Sequence, residues 1–126
     1  MDGAHNPASA AVLVDVLAGL PRKRTVFVVG IAADKDIPSM LRLLAPWGDE
    51  FVFTRTGNPR AAQPSDLKSL LEGIRPGTAC HVTGTPAEAI GLARSLASPA
   101  DRICITGSMY LAGDALAILA PRAGGP

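Results

Sequence analysis

The amino-terminal segment DGAHNP combines a carboxylate, an imidazole and an amide within six residues. Gly3 permits a tight turn, and Asn6 followed by Pro7 is typical of the start of a helix. At such a turn the carboxylate of Asp2 can accept ribose hydroxyls, and the imidazole of His5 can donate to an anion. The alternative is that Asp2 and His5 only satisfy backbone groups of the turn, and the residues alone leave both interpretations open.

Three further segments place polar side chains directly after apolar runs. Lys35 could be a fixed cation for a carboxylate ligand, and Arg60 could clamp a carboxylate or phosphate with two hydrogen bonds. Ser108, together with free backbone N–H groups, could face a carboxylate at a helix N-terminus. Plainer interpretations remain: a solvated loop that starts a helix, a turn with a surface arginine, and a simple serine cap.

Motifs of self-sufficient catalytic or nucleotide sites are missing from the sequence. No GxGxxG follows an apolar run, and neither GxxxxGK[ST] nor GxSxG occurs. The two histidines, His5 and His81, are far from metal-ligand spacing, so no metal site is predicted. His81 is interpreted as a core or edge histidine, and Trp47 as a packing residue beside Pro46.

The elements that must position the polar segments alternate between strand and helix patterns. Apolar runs predict strands at 24–31, 50–54, 79–82 and 102–106. Helices are predicted at 7–20, 36–44, 65–74, 85–96 and 110–119. Asp36 and Ser65 are the predicted N-caps of two helices, and Thr85 begins the capping box T-P-A-E with Glu88.

Strands that alternate with helices of this length require parallel pairing through right-handed crossovers. The predicted fold is therefore α/β, a Rossmann-like, doubly wound, mainly parallel sheet in a single three-layer α/β/α domain. Functional loops of such sheets lie at the carboxyl ends of the strands, where all four polar segments fall. Because only Met1 precedes Asp2, the first strand is expected to be truncated, with the domain at 1–120 and a disordered tail at 121–126.

Composition excludes several classes of function. The 126 residues are 48% hydrophobic and carry a formal net charge of +1, which fits one packed domain and disfavours charge-driven nucleic-acid binding. No apolar stretch is long enough to span a membrane, and no signal peptide opens the chain. Cys80 and Cys104 are interpreted as structural thiols in buried strands, in a reducing cytoplasm.

Four blocks together resemble a known family. DGAHNP at 2–7, VVGIAADKD at 28–36, TRTGNPRAA at 54–62 and ITGSMYLAGDA at 105–115 occur in the order and spacing of one domain type. They are similar to the C-terminal, glutamate-ligase domain of folylpolyglutamate synthases and dihydrofolate synthases, in the Mur ligase superfamily. The pair DGAHNP and TGSxY is much more specific than either motif alone.

The resemblance implies ATP-dependent amide formation in the cytoplasm. A carboxylate of folate, or of its glutamate tail, takes the γ-phosphoryl group of ATP, and the amino group of L-glutamate attacks the acyl phosphate. ATP and Mg²⁺ would bind mainly to the N-terminal and central ATPase domains, which this sequence lacks. The chain alone is therefore expected to be inactive and to bind no cofactor tightly.

The resemblance also implies roles for individual residues. Asp2 would contact the nucleotide through its ribose. His5 would lie near the phosphates or the incoming glutamate, as the catalytic residue. Ser108, Lys35 and Asn6 would bind the glutamate.

Arg60 lies where a related branch, which adds a diamino acid, reads its substrate with an Asn-Pro-Arg motif. It is therefore a candidate carboxylate clamp by position alone.

Two alternatives stay open: a ligase of another Mur branch that acts on cell-wall precursors, and a non-catalytic Rossmann-like ligand-binding module.

Overall fold

The computed structural model of the chain describes residues 7–57 and 59–106. Four strands and four α-helices alternate along them, as the sequence patterns predict, with one 3₁₀ turn in addition. The predicted helix at 110–119 and the predicted tail at 121–126 lie outside the described residues. The elements are α1 (Pro7–Ala18), β1 (Thr25–Val29), α2 (Ile37–Leu44), the 3₁₀ turn (Ala45–Trp47), β2 (Glu50–Phe53), α3 (Pro64–Ile74), β3 (Ala79–Val82), α4 (Pro86–Leu96) and β4 (Arg102–Thr106).

The strands form one parallel sheet in the order β3-β2-β1-β4. Val28 of β1 is level with Val52 of β2 and Ile105 of β4. The chain winds from β1 to β3 in one direction and then crosses to the other side of β1 for β4, so the winding reverses between β1 and β4. The prediction of a Rossmann-like α/β fold is confirmed.

Alternate residues of the strands point to opposite helical layers, because successive side chains of a strand face opposite ways. On one face, Phe27 and Phe51 pack with residues of α1, α2 and α3. On the other face, Val28 and Val52 pack with residues of α4. All five residues of β1 are buried, which explains why the four residues after Thr25 are continuously apolar rather than alternating.

Aromatic rings fill the layer between the sheet and helices α1, α2 and α3. The rings of Phe27 and Phe51 stack with centroids 5.3 Å apart, and those of Phe51 and Phe53 with centroids 6.0 Å apart. Gly48 lies directly against this stack, since a Cβ at that position would be 2.5 Å from the ring of Phe51. Phe27 and Phe51 lie level on neighbouring strands and Phe53 lies two residues further along β2, so the sheet fixes the positions of all three rings. A side chain at position 48 would overlap the rings of Phe27 and Phe51, which explains the glycine there.

Two of the predicted side-chain caps begin helices in the structure, and a third does not. Asp36 accepts a hydrogen bond from the N–H of Ser39, and Thr85 accepts one from the N–H of Glu88, so both predicted caps are confirmed. The predicted Ser65 cap is wrong, because α3 already begins at Pro64 with Gln63 in the cap position. Proline suits the first helical position, which displaces the start by one residue.

The cysteines are less buried than predicted. Cys80 lies on β3 and Cys104 on β4, the two outer strands of the described sheet, and both residues are only half-buried. Both remain thiols and pack against the α1–α3 side of the core. Burial raises the pKa of the Cys80 thiol, with a smaller contribution from Glu72, which keeps the thiol protonated and unreactive.

Charged residues join neighbouring strands at the edge of the sheet where the strands begin, which we call the amino edge. These residues lie on the face of the sheet that α4 covers. Arg24 pairs with Glu50 and with Asp101, at 3.1 Å from the latter, and His81 lies 2.9 Å from Glu50. His81 is thus an edge histidine, as predicted. Partial burial pushes the pKa of Glu50 upward, but hydrogen bonds with His81 and Arg24 outweigh it and hold that pKa below its usual value.

Among the helices of the described residues, none has the length and apolarity to cross a bilayer.

Candidate functional site

The carboxyl ends of the strands lie level along one edge of the sheet. The N–H of Gly30, after β1, donates to the carbonyl of Thr106 at 3.3 Å. The N–H of Thr54, after β2, donates to the carbonyl of Val29 at 3.0 Å, and Thr83, after β3, donates to the end of β2. All four strands therefore end at a common edge of the sheet, which we call the carboxyl edge.

Two of the predicted loops are directly joined at the carboxyl edge. The N–H of Ala33 donates to the carbonyl of Arg60 at 2.7 Å, and the N–H of Ala62 donates to the carbonyl of Ile31 at 2.8 Å. These bonds flank an isolated antiparallel bridge between the two segments. The loop that carries Lys35 and the loop that carries Arg60 are thus held in register by backbone groups.

Lys35 lies in the turn that leads into α2. Its N–H donates to the carbonyl of Ala32 at 3.2 Å, and its carbonyl accepts from Ile37 at 2.9 Å. The residue is half-buried, beside the N-terminus of α2. The N-terminus of a helix carries partial positive charge and attracts anions. A carboxylate bound at this position would therefore interact favourably with the N-terminus of α2 and with the ammonium group of Lys35.

Arg60 forms an ion pair with Asp34, with 3.3 Å between Nη1 and Oδ2. The side chains are 76% and 48% exposed, so water screens the pair and it contributes little to stability. Asp34 joins the two loops a second time and would compete with any acidic ligand for Arg60. The sequence placed Asp34 next to Lys35 but gave no sign of its pairing with Arg60.

Two buried hydroxyls at the carboxyl edge were not singled out from the sequence. Thr54 and Thr106 are 0% and 1% exposed, and their Oγ1 atoms have no hydrogen-bond partner among residues 7–57 and 59–106. Thr106 is level with Val29, whereas Thr54 follows Phe53, so the two side chains face opposite sides of the sheet around the end of β1. Buried hydroxyls normally have a partner, and the one available signal was a threonine that ends each apolar run.

A cavity of about 400 Å³ opens at the same edge, between the ends of β2 and β3. Arg55, Ser65 and Thr83 line it, beside the first turn of α3. Arg55 is exposed and adds a third cationic side chain to an edge that already carries Lys35 and Arg60. The described part of this edge can therefore accept an anionic ligand.

The remaining predicted site residues, Asp2, His5, Asn6 and Ser108, lie outside the described residues. Their roles, like those of Lys35 and Arg60, stay predictions. In the part of the chain that the structure describes, no group of three His, Cys, Asp or Glu residues could hold a metal ion.

Residues 1–109 match the family model of the Mur ligase, glutamate ligase domain. The chain belongs to this family. Most of the four sequence blocks lie inside the matched range, and the parallel sheet with helices on both faces is the fold of the C-terminal domain of folylpolyglutamate synthases. In this glutamate ligase domain, the two joined loops that carry Lys35 and Arg60 lie at the carboxyl edge.

Similar proteins fall into two branches of ligases. The domain is 36% identical over 114 residues to the folylpolyglutamate synthase of Lacticaseibacillus casei, covering 89% of this chain and 24% of that protein. It is 29% identical over 131 residues to the UDP-N-acetylmuramoyl-L-alanyl-D-glutamate–2,6-diaminopimelate ligase of Corynebacterium efficiens, covering 93% of this chain and 24% of that protein.

A crystal structure of Mycobacterium tuberculosis folylpolyglutamate synthase, complexed with ADP and AMPPCP, superimposes with a TM-score of 0.85. It is 33% identical and covers 94% of this chain and 28% of that chain. The glutamate ligase domain therefore spans about a quarter of the length of these relatives. It corresponds to the C-terminal domain of proteins of the folylpolyglutamate synthase type.

Proposed function

We propose that the chain is the closing domain of an ATP-dependent ligase that adds L-glutamate to folates. In this reaction a folate carboxylate oxygen attacks the γ-phosphorus of ATP, giving an acyl phosphate and ADP. The amino group of glutamate then attacks the acyl carbon, loses a proton, and the tetrahedral intermediate expels phosphate. The domain contributes glutamate binding and contacts to the nucleotide when it closes over the site.

The arrangement at the carboxyl edge is the observation that carries the proposal. Lys35 and Arg60 come from distant parts of the sequence, yet the backbone bonds of Ala33 and Ala62 hold their loops together. An amino acid with two carboxylates needs cations at fixed positions, and rigid loops provide them at a low entropic cost. Ser108 follows Thr106, whose strand ends at the same edge, and we assign it to the same glutamate.

ATP and Mg²⁺ are assigned mainly to a preceding domain that carries a P-loop. The described part of the carboxyl edge offers cationic and hydroxyl groups that suit anions, but no carboxylate cluster that suits Mg²⁺. Asp2 is assigned to the ribose and His5 to the phosphates or the incoming amino group. Closure of the two domains would exclude water, which otherwise hydrolyses the acyl phosphate. We place the protein in the reducing cytoplasm, in keeping with thiols at Cys80 and Cys104.

A second candidate is a ligase that adds a diamino acid to cell-wall precursors. Two observations favour it: the similarity to the Corynebacterium efficiens ligase, and Arg60 in an Asn-Pro-Arg segment at the carboxyl edge. The segment DGAHNP argues for the folate branch.

The experiment is an ADP-release assay of the full-length protein with two substrate sets. Release that needs both a folate and L-glutamate supports the proposal. Release that needs 2,6-diaminopimelate and UDP-N-acetylmuramoyl-L-alanyl-D-glutamate supports the second candidate. Release with neither set would leave a non-catalytic binding module. The 126-residue chain alone is expected to release no ADP and to bind ATP and glutamate weakly in calorimetry, since it supplies one wall of each site.

Lys35→Ala tests the placement of glutamate within that assay. Loss of a charge-assisted hydrogen bond of about 1.5–3 kcal/mol should raise the KM for glutamate by roughly tenfold or more, with a smaller effect on kcat. Lys68→Ala is the matched control, because Lys68 is also a half-buried lysine but lies on α3. Equal KM values for the two variants would remove Lys35 from the site.

A further inference from the structure

A second cavity, of about 180 Å³, lies at the amino edge of the sheet, opposite the carboxyl edge. Three cationic side chains line it: Arg22 and Lys23 from the loop between α1 and β1, and Arg102 from the start of β4. Leu17 and Trp47 form part of its apolar wall. We call it the basic cavity.

The fold holds two of these cations in place, and neither has an acidic partner within residues 7–57 and 59–106. The guanidinium of Arg102 donates to the carbonyl of Pro21 at 3.0 Å, which ties the start of β4 to the loop. The guanidinium of Arg22 lies 5.5 Å from the centre of the Trp47 ring, a cation–π contact. Each arrangement fixes the position of a positive charge but leaves the charge itself uncompensated.

Among the described residues that line the basic cavity, none carries a carboxylate. Two acidic residues lie nearby: Asp101 is paired with Arg24, whereas Asp49 brings one formal negative charge beside Thr25, a residue of the cavity lining. Asp49 accepts the N–H of Thr25 at 2.8 Å, and Asp101 accepts from Arg24 at 3.1 Å and from the N–H of Ser98 at 2.8 Å. Lys23 is exposed and forms no ion pair among the described residues.

The charge balance at the basic cavity favours an anion. The carboxyl end of α1 also lies there and attracts cations, but a helix end carries only about half a negative charge. Three formal positive charges exceed the sum of that half charge and the one negative charge of Asp49. Like charges around one small cavity repel each other, and a multiply charged anion among them relieves the repulsion.

We propose that the basic cavity binds a small phosphate-type oxyanion, either inorganic phosphate or the phosphate group of a small ester. Guanidinium groups match phosphate oxygens with paired hydrogen bonds, and a phosphate group carries more than one negative charge at neutral pH, about 1.5–2 in an ester. The volume is below the roughly 300–1,000 Å³ of sites for drug-sized ligands, which excludes a buried nucleotide. The basic cavity lies at the other edge of the sheet from Lys35 and Arg60, so this binding is independent of the proposed ligase function.

Trp47 makes the basic cavity directly observable, because it is the one tryptophan in the sequence. Inorganic phosphate titrated into the 126-residue chain at constant ionic strength should change its fluorescence in a saturable way. Sodium chloride and sodium acetate at equal ionic strength should not. Glycerol phosphate, titrated in the same way, distinguishes the two sources: binding tighter than that of inorganic phosphate assigns the cavity to an ester, and weaker binding assigns it to the free ion.

Two variants connect the signal to the cavity. Lys23→Gln and Arg102→Gln should each weaken phosphate binding about tenfold, as expected for loss of one charge-assisted contact. Lys68→Gln, on α3, should bind phosphate as the original chain does. Lys23 has an exposed side chain without an ion pair, so Lys23→Gln keeps the test valid even where Arg102→Gln impairs folding.

The thermal unfolding midpoint gives a second readout, since a ligand that binds only the folded chain raises it. If sodium chloride changes the fluorescence and the unfolding midpoint as phosphate does, the effect is ionic screening of the cations, and the proposal is overturned. An equal response to acetate would overturn the assignment to phosphate. A Lys23→Gln variant that binds as tightly as the original chain would place any bound phosphate elsewhere.

Discussion

Replacing Thr54 by valine should stabilise the domain. Thr54 is fully buried, and its Oγ1 has no hydrogen-bond partner in the described residues, so the hydroxyl has lost its hydration without compensation. Such a group costs about 1–3 kcal/mol, whereas valine has the same β-branched shape and the same preference for extended structure. We therefore expect Thr54→Val to raise the free energy of unfolding by about 1–3 kcal/mol.

The control is a buried threonine whose hydroxyl has a partner. Thr25 is 2% exposed, and its hydroxyl donates to the carbonyl of Lys23 at 3.1 Å. Thr25→Val should therefore lower the free energy of unfolding, by about 0.5–1.5 kcal/mol, the usual net value of one hydrogen bond. The sign of the change thus separates the two positions.

Urea unfolding of the three chains, followed by circular dichroism, measures both differences from the midpoints and slopes. Thr106→Val, at the end of β4, should behave like Thr54→Val for the same reason. The reasoning fails if Thr54→Val and Thr25→Val destabilise the domain equally. In the full-length protein, normal binding of the proposed substrates by Thr54→Val or Thr106→Val would show that the hydroxyl removed serves no ligand.

Two further predictions concern the core and the amino edge. Gly48→Ala should destabilise the domain by about 1–3 kcal/mol in urea unfolding, because the new methyl group would overlap the stacked phenylalanine rings. Gly73→Ala, in open space on α3, should instead stabilise it by up to about 1 kcal/mol, and equal effects would contradict the packing explanation. Because the folded-state pKa of Glu50 is lowered, its contribution to stability exists above its unfolded pKa and is lost as pH falls through the folded value. Glu50→Gln should therefore destabilise the domain at pH 7 but progressively less below about pH 4, and a constant difference across that range would exclude the ion pairs as the cause.

The fold could be predicted because its signals are local. A short run of β-branched and aromatic residues such as TVFVV favours a strand buried on both faces, and Thr85 with Glu88 fixes the start of α4 within one turn. Cys80 and Cys104 were predicted to be buried because their strands are also apolar. Position in the sheet, not composition, decides that point: β3 and β4 are the outer strands of the described sheet.

The candidate site was only partly predictable, because its organisation depends on contacts between distant segments. The sequence identified Lys35 and Arg60 from their position after apolar runs. It could not show that Asp34 pairs with Arg60 across the two loops, since 26 residues separate them. Nor could it show that the hydroxyls of Thr54 and Thr106 are buried without partners, because that depends on how closely the neighbouring elements pack.

The distribution of matched and unmatched polar groups distinguishes the two edges of the sheet. On the α4 side of the amino edge, Arg24 is matched by Glu50 and Asp101, an arrangement that fixes three strand starts. Polar groups without such a match among the described residues occur at the carboxyl edge, as buried hydroxyls, and at the basic cavity, as uncompensated cations. Strands of four or five residues separate these places by about 15 Å, longer than the Debye length of roughly 8 Å at physiological salt. Direct electrostatic coupling between exposed charges at the two places is therefore weak, and an effect of phosphate on ligase activity would have to act through a change in structure.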